Sequence, residues 1–530
     1  MHDPAERTTL SSLNGSDWDA VIIGGGICGA SAAQHLAAAG YSVLLVEKDD
    51  FASGATSRSG RLLHCGLRYL TPTRSTWEYL WQPRKFVTAL RMALTSSRVT
   101  DELVLTMPTL TRKMRIMVPI YKDAPFAGWQ VPFGVAALKL LARRKLPLNL
   151  KRHRNVRSSP FARRLRAVDD IESIMELDDY QMNWGERICI DAVLDAQRMG
   201  ADIRNYTVAE DIRRVDDKWS VTISDVHAPD ERATVTGTIL LNMGGPWIDR
   251  INEAASGTGG APRQVVGVKG VNVLVRLPPE CRGHGIIAGN RHNEIMSCFP
   301  WGDLHFIGAT ETLYDGSLED VRPEEEDISF ILDEMNHLFP AMDIKRTDVV
   351  QAWAGVRPIT YDPAQEKGAR LPFNVLRDLS DQGLPNVITI TWAAIMLHRH
   401  AARKLVDLVR GKLSPSGPQR QISYAARKFP DHAASPKLID GIGVTLADLV
   451  HSAEREHPRK LVDLLYRRTG VGWHASISSD VAALAARTVA ATLGWSEEDQ
   501  RREVSEFIAY AERYHLQSGA SWHANLESSR

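Results

Sequence analysis

Apolar residues follow two different rhythms along this chain. Near the amino terminus residues 19–23 form a short apolar run that leads straight into Gly24-Gly25-Gly26-Ile27-Cys28-Gly29. An alanine-rich stretch follows at helical spacing as far as Ala39, Gly40 stops it, and residues 41–46 are apolar again up to Glu47. Continuous apolar runs bounded by glycine suit parallel strands buried on both faces, and the order strand, glycine turn, helix, strand predicts a βαβ unit. Towards the carboxyl terminus the period becomes helical. Residues 458–469 stop at Gly470, residues 479–493 stop at Gly494, and Ser496 opens a segment with acids in its first turn that runs to Tyr514. Between these halves, residues 411–418 carry glycine, proline and serine and read as a linker.

The βαβ unit carries a specific chemistry. Gly24 makes the tight turn, Gly26 lets the backbone approach a pyrophosphate, and Gly29 allows close packing of helix on strand. The helix amino terminus attracts the phosphates. Glu47, eighteen residues beyond Gly29, stands at the tip of the second strand to accept hydrogen bonds from an adenosine ribose. These features together predict a dinucleotide site, but they do not separate NAD from FAD.

Composition narrows the class. The chain has 530 residues, enough for about three domains. Lys+Arg and Asp+Glu balance at 64 each, so whole-molecule attraction to nucleic acid is not indicated. The 5 cysteines are scattered without a CxxC pair, which fits a reducing compartment, and no metal site is expected. The first sixteen residues lack the apolar core of a secretory signal, and the longest apolar stretches, such as residues 387–397, fall short of the roughly 18–20 residues that span a bilayer. Charge is nevertheless uneven. No acid occurs between Asp123 and Asp169, whereas Lys139, Arg143, Arg144, Lys145, Lys151, Arg152, Arg154, Arg157, Arg163, Arg164 and Arg166 are all basic. With the aromatic residues just before it, this stretch reads as a reversible attachment site for an anionic membrane surface. No base-stacking module accompanies it, so nucleic acid is not expected as a partner.

The residues beyond Glu47 separate the two cofactors. The run Ser57-Arg58-Ser59-Gly60-Arg61-Leu62-Leu63-His64-Cys65-Gly66-Leu67-Arg68-Tyr69-Leu70 resembles the FAD-dependent (membrane, aerobic) glycerol-3-phosphate dehydrogenases. Later landmarks keep the family's order: Asn242-Met243-Gly244-Gly245-Pro246-Trp247, Lys269-Gly270-Val271-Asn272, Gly308-Ala309-Thr310-Glu311 and Gly355-Val356-Arg357-Pro358. The resemblance implies an α/β FAD-binding Rossmann-like domain in discontinuous segments (17–95, 185–265 and 345–412). It implies an antiparallel-sheet substrate domain, also membrane-facing (96–184 and 266–344), and a helical carboxyl-terminal domain (420–530) covering the flavin domain. It further implies FAD contacts from Gly24, Gly26, Gly29, Glu47, Thr56, Ser57, Arg61, Leu63, Gly244, Gly355 and Ala393. Substrate contacts would come from Arg68, Tyr69, Arg357 and Asn272, with His64 and Arg357 as the catalytic pair. Arginine forks and a phenol suit a phosphate.

Two departures from the family stand out. Its Gly-Gly-Lys-Leu-Thr-Thr segment is represented here by residues 392–397, so the lysine has become Ala394 and the hydroxyls Met396 and Leu397; its histidine after Lys-Gly-Ser is Asn272. Losing one charge-assisted contact to a phosphate costs about 1.5–3 kcal/mol unless another cation replaces it. His64, His305, His398 and His400 are candidate bases by residue type. The expected activity is hydride transfer from a secondary hydroxyl, glycerol 3-phosphate first, to FAD and onward to quinone, at the inner face of the cytoplasmic membrane. The alternatives are a dehydrogenase or oxygen-using oxidase of another polyol phosphate or hydroxy acid, and a flavin-binding surface protein without catalysis. The assembly, monomer or homodimer, is left open.

Overall fold

The computed structural model describes residues 7–517 except 65, 71–80, 125–127, 143–148, 160–161, 293–294, 370–373 and 432–433. Its described strands form two sheets. The first contains β1 (Asp17–Ile23), β2 (Val43–Val46), β7 (Asp202–Arg204), β8 (Thr207–Val215), β9 (Lys218–Asp225), β10 (Ala228–Asn242), β17 (Val375–Asp378) and β18 (Val387–Trp392). The order β18-β10-β1-β2-β7 is parallel throughout, with β17 antiparallel at one edge and β8 and β9 folded back antiparallel on β10.

Both faces of this sheet are buried, which explains the unbroken apolar runs. Ala20 and Ile22 of β1 join a core with the helices Ile27–Ala39, Gly185–Arg198 and His398–Arg410, while Val21 and Ile23 join a second core with Trp219, Val221 and Ile223. Gly40 ends the first helix in the left-handed conformation, with φ of 95°. The helix Ile27–Ala39 is therefore small-sided and close to the sheet, and its amino end points at the loops beyond β1.

The second sheet contains β3 (Leu62–Leu63), β4 (Thr111–Tyr121), β5 (Leu150–His153), β6 (Ile171–Met182), β11 (Val265–Val275), β12 (His284–Gly289), β13 (Ile295–Trp301), β14 (Leu304–Gly308), β15 (Thr312–Leu313) and β16 (Val349–Thr360). It is antiparallel apart from the β12–β4 pair. Two stretches expected with the nucleotide-binding segments lie in this sheet instead: Leu62–Leu63 pairs with β6, and Val349–Thr360 pairs along the whole of β11. That pairing satisfies most of their backbone donors and acceptors.

The carboxyl-terminal helices also sit differently from the expectation. Rather than simply covering the nucleotide domain, Leu464, Tyr466, Trp473 and Phe507 pack with Phe299, Trp301, Phe306 and Trp353 on one face of the second sheet, and the helix Glu325–Leu338 packs on the other. The helix boundaries follow the pattern closely. Ser478 caps Ser479–Leu493, Gly494 ends it at φ 68°, and Ser496 with Asp499 forms a reciprocal cap on Glu497–His515. The stretch before Gly470 opens into a wide π-type turn over Asp463–Arg468. That turn carries Arg467 and Arg468 to Asp50, just beyond β2: Arg467 Nε is 2.6 Å and Arg468 Nη1 2.7 Å from Oδ2. Burial alone would raise the Asp50 carboxyl, but the two guanidinium groups hold it down at about 2.

Candidate active site

Between the sheets lies a cavity of about 1350 Å³. Ligand pockets for small molecules are about 300–1,000 Å³, so this one has room for a dinucleotide together with a second small molecule. One end is built by the βαβ unit. Gly24, at φ 109°, would place a Cβ 2.6 Å from the Met243 carbonyl oxygen, and a Cβ on Gly29 would fall 1.9 Å from the Gly24 carbonyl oxygen. The turn, the third strand end and the helix start can therefore meet only if these residues lack side chains.

Thr56 closes the same corner from the next loop. Its Oγ1 accepts from Ile27 N at 3.0 Å, at the first turn of the helix Ile27–Ala39. Glu47 Oε2 accepts from Gly25 N at 2.6 Å, and Oε1 accepts from Asp49 N at 3.0 Å. Burial pushes its carboxyl up to about 7 despite these bonds. An acceptor held at a strand tip and lacking strong cationic partners is suited to two ribose hydroxyls, so the residues present fit the adenosine side of a dinucleotide.

Gly244, Gly355 and Ala393 also line the cavity, whereas Ser57 and Leu63 lie beneath its wall. Ser57 Oγ donates to the carbonyls of Ser53 and Gly54, and Leu63 is fully buried in β3. Gly355 leaves room for Arg58, whose Cβ would be 2.5 Å from a Cβ at that position. Arg61 lines the cavity but is already engaged: Nη2 donates to Glu186 Oε1 at 2.8 Å, and the guanidinium lies 4.2 Å from the Trp473 ring centroid.

His64, Tyr69 and Arg357 line the same cavity. Tyr69 Oη lies 3.3 Å from His64 Nε2, and Ser96 Oγ lies 3.0 Å from Nδ1 and 3.0 Å from the His64 carbonyl oxygen. Arg357 comes from β16 opposite Val268 of β11, and its Nη1 donates to the Thr310 carbonyl at 3.3 Å. Gly270 supplies the space for it, because a Cβ there would sit 2.4 Å from Nη2. The backbone of Arg68 lies in the turn Leu67–Leu70, and its side chain is outside the described residues.

The other sequence candidates lie elsewhere. Asn272 is 2% exposed within β11, paired with Gly308 and Trp353, and does not line the cavity. His305 is fully buried with Nε2 near the carbonyls of Cys281 and His284, and burial pushes it down to about 4. His398 is buried with Nδ1 2.8 Å from the Ile395 carbonyl, and burial lowers it to about 3. His400 is lowered by partial burial and then by Lys404 and Arg403. Of the four histidines named from sequence, His64 alone reaches the cavity. Ala394 lines the cavity, while Met396 and Leu397 point into the core, so no hydroxyl stands there.

Several lining residues have no role assigned from sequence. Arg58 donates through Nη1 to the carbonyls of Val321 and Ala354 and through Nη2 to Tyr510 Oη. Lys460, Glu506, Tyr510 and Tyr514 reach the cavity from the carboxyl-terminal helices, more than four hundred residues from the glycine turn.

A parallel sheet with a glycine cradle, opening onto an antiparallel sheet that presents a histidine, a phenol and an arginine, defines a dinucleotide-dependent oxidoreductase. The family model "FAD dependent oxidoreductase" (DAO) matches residues 19–388, and the chain belongs to that family. FAD is its cofactor. Among individual proteins, the chain is 27% identical to a glycerol-3-phosphate dehydrogenase of Synechocystis sp., over 94% of this chain and 97% of that one. It is 25% identical to an aerobic glycerol-3-phosphate dehydrogenase of Staphylococcus epidermidis, over 76% of this chain and 68% of that one. The fold is similar to that of the Bacillus halodurans glycerol-3-phosphate dehydrogenase complexed with FAD, with a TM-score of 0.66, 19% identity, and 95% and 96% of the two chains covered.

Proposed function

We propose that the chain is a glycerol-3-phosphate dehydrogenase that oxidises the secondary hydroxyl to dihydroxyacetone phosphate. The observation that carries this reading is that His64, Tyr69 and Arg357 line the same cavity as the glycine cradle, Gly355 and Ala393. The names of the similar proteins support the substrate class. Bound FAD supplies the hydride acceptor.

The chain's own residues would do the rest. Arg357 holds an anionic phosphate by charge-assisted hydrogen bonds, aided by the Tyr69 phenol and by Arg68. His64 accepts the hydroxyl proton. A serine has one proton to donate; with that of Ser96 on the His64 carbonyl oxygen, Nδ1–H donates to Ser96 Oγ and Nε2 is the basic atom, beside Tyr69 Oη. Ala394 favours a second reading, oxidation of another polyol phosphate or a hydroxy acid, because the family's lysine is missing from this wall.

The acceptor belongs to the same proposal: quinone, met at an anionic membrane surface on the cytoplasmic side. No helix among the described residues is long and apolar enough to cross a membrane. Trp81, Phe133 and Leu140 are 86%, 75% and 79% exposed, and Phe86, Val87 and Trp129 are exposed beside them on or next to the mutually packed helices Pro83–Thr106 and Gln130–Ala142. Arg84, Lys85, Arg91 and Lys139 are exposed on the same two helices. The basic stretch itself is partly neutralised, since Arg152 pairs with Glu172, Arg157 with Asp169 and Arg164 with Glu280; Arg143, Arg144 and Lys145 lie outside the described residues.

The test is the anaerobic absorbance spectrum of the purified protein before and after glycerol 3-phosphate. Bleaching of the oxidised flavin band is expected. A band that stays oxidised with glycerol 3-phosphate but bleaches with another polyol phosphate or a hydroxy acid moves the assignment to the second reading. A band that none of them bleaches leaves a flavin-binding protein without this chemistry. Co-flotation with anionic but not zwitterionic vesicles checks the membrane surface, and turnover with a soluble quinone exceeding that with oxygen checks the acceptor.

A further inference from the structure

The strands β2 and β10 flank β1, so their ends stand on either side of the glycine turn that follows Ile23. Lys48 lies just beyond β2, and Trp247 and Arg250 lie just beyond β10. One carboxylate joins the two sides. Glu319 Oε2 is 2.5 Å from Lys48 Nζ, and Oε1 accepts from Trp247 Nε1 at 2.9 Å and Arg250 Nη1 at 3.4 Å. Lys48 Nζ also stands 4.3 Å from the Trp247 ring centroid. Glu319 therefore bridges the chain beyond β2 and the chain beyond β10, which lie on either side of the end of β1. Leu318, Glu319 and Val321 line the same cavity as those glycines.

The next residue faces the other way. Asp320 accepts from Arg513 Nε at 3.0 Å, Arg513 Nη2 at 2.6 Å and Tyr514 Oη at 3.2 Å, all on the last helix. The Val321 carbonyl accepts from Arg58 Nη1, whose partner nitrogen Nη2 donates to Tyr510 Oη. The segment itself leaves the second sheet at Tyr314, whose N donates to the Gly267 carbonyl at 3.0 Å and whose Oη donates to the Ser317 carbonyl at 2.8 Å. Anchored in the second sheet, it is tied to the first sheet by Glu319 and to the carboxyl-terminal helices by Asp320.

We propose that residues 317–321 are a retention strap for FAD, latched by Glu319 and Asp320, which must lift for the cofactor to enter or leave. This rests on FAD binding and not on the identity of the substrate. It also assigns the carboxyl-terminal helices a task, since Arg513 and Tyr514 hold one of the two latches. The latches are half open to solvent, with Glu319 52% and Arg513 51% exposed, so salt weakens them; screening lengths fall to roughly 3 Å at 1 M salt.

The test follows release of flavin fluorescence after dilution of the holoprotein, at low salt and at about 1 M salt. The E319Q/D320N double variant should release FAD about tenfold faster than the parent at low salt, the change expected when a small network of exposed pairs is lost. High salt should accelerate the parent and leave the double variant nearly unchanged. The Glu325→Gln variant removes an exposed pair with Arg346 outside the cavity and should release FAD at the parental rate. Thermal unfolding of the FAD-free proteins separates latch from fold: faster release with unchanged melting supports the strap, and faster release in proportion to a lowered melting temperature overturns it. Equal release from parent and double variant overturns it as well, while FAD and substrate turnover remain intact. A chain that takes up no FAD overturns the cofactor assignment and the strap together.

Discussion

The two ends of the cavity are built on different principles. At the nucleotide end Gly24, Gly26, Gly29 and Glu47 come from one stretch of β1, helix and β2, and hydrogen bonds within that stretch, such as Gly25 N to Glu47 Oε2, set the geometry. On the proposed substrate side His64 and Tyr69 come from the chain around β3, Arg357 from β16 and Gly270 from β11, brought to one cavity only when the second sheet closes. A local motif tolerates little change because each residue fills a backbone contact. An assembled site tolerates substitution of its parts, because the fold survives the loss of any one side chain.

The sharpest separation should come from Gly29→Ala. The added Cβ would lie 1.9 Å from a backbone oxygen that cannot move without opening the turn. We expect protein purified without flavin, read as loss of the visible absorbance, and no activity at any substrate concentration.

At the other end, His64→Asn should leave the flavin absorbance in place and cut the rate of flavin bleaching by about 10²–10⁴-fold, the range for a lost general base. A variant that keeps the parental rate moves the base to another group. Arg357→Ala comes next, with about a 10- to 150-fold loss of kcat/KM from one charge-assisted anchor at 1.5–3 kcal/mol. Arg357→Lys should recover only part, since an ammonium lacks the planar fork. Equal losses with an uncharged alcohol substrate would show that Arg357 does not read the phosphate.

The same contrast explains what could be read from the chain alone. The βαβ unit, the glycine roles, Glu47 and the last two helices follow from spacing, because their partners lie within one or two turns of chain. Arg357 and Tyr69 needed a resemblance to a known family, and both line the same cavity as His64. Asn272 matched a family position yet lies buried in β11, two residues beyond the cavity-lining Gly270 on the same strand face, and spacing alone does not tell how far along that face the cavity extends. Arg58 stood in the family-like run with no role assigned, and Glu319 and Asp320 had no signal at all. Their partners are Ala354 and Tyr510, Lys48 and Trp247, and Arg513, and such pairings exist only in the closed tertiary structure. The edges of the nucleotide segments failed for a related reason: an apolar run such as Val349–Thr360 suits either sheet, and only its pairing with β11 decides.

The smallest expected effect lies back at the nucleotide end and concerns Glu47. Burial raises its carboxyl to about 7 in the FAD-free chain, so near neutral pH it is partly protonated. Ribose hydroxyls donate to the ionised carboxylate, which lowers its pKa in the complex, so FAD binding must expel a proton wherever the free chain carries one. FAD affinity therefore rises with pH below about 7 and levels off above it, by at most about tenfold per pH unit for a single proton. Titration of the FAD-free protein by flavin fluorescence quenching from pH 5.5 to 8.5, a window of about 1.5 units either side, should trace this curve. Glu47→Gln, which cannot titrate, should bind FAD more weakly at high pH and show no slope. A parent protein whose affinity is flat across the window would mean that Glu47 does not carry the ribose, and that the nucleotide end depends on its glycines alone.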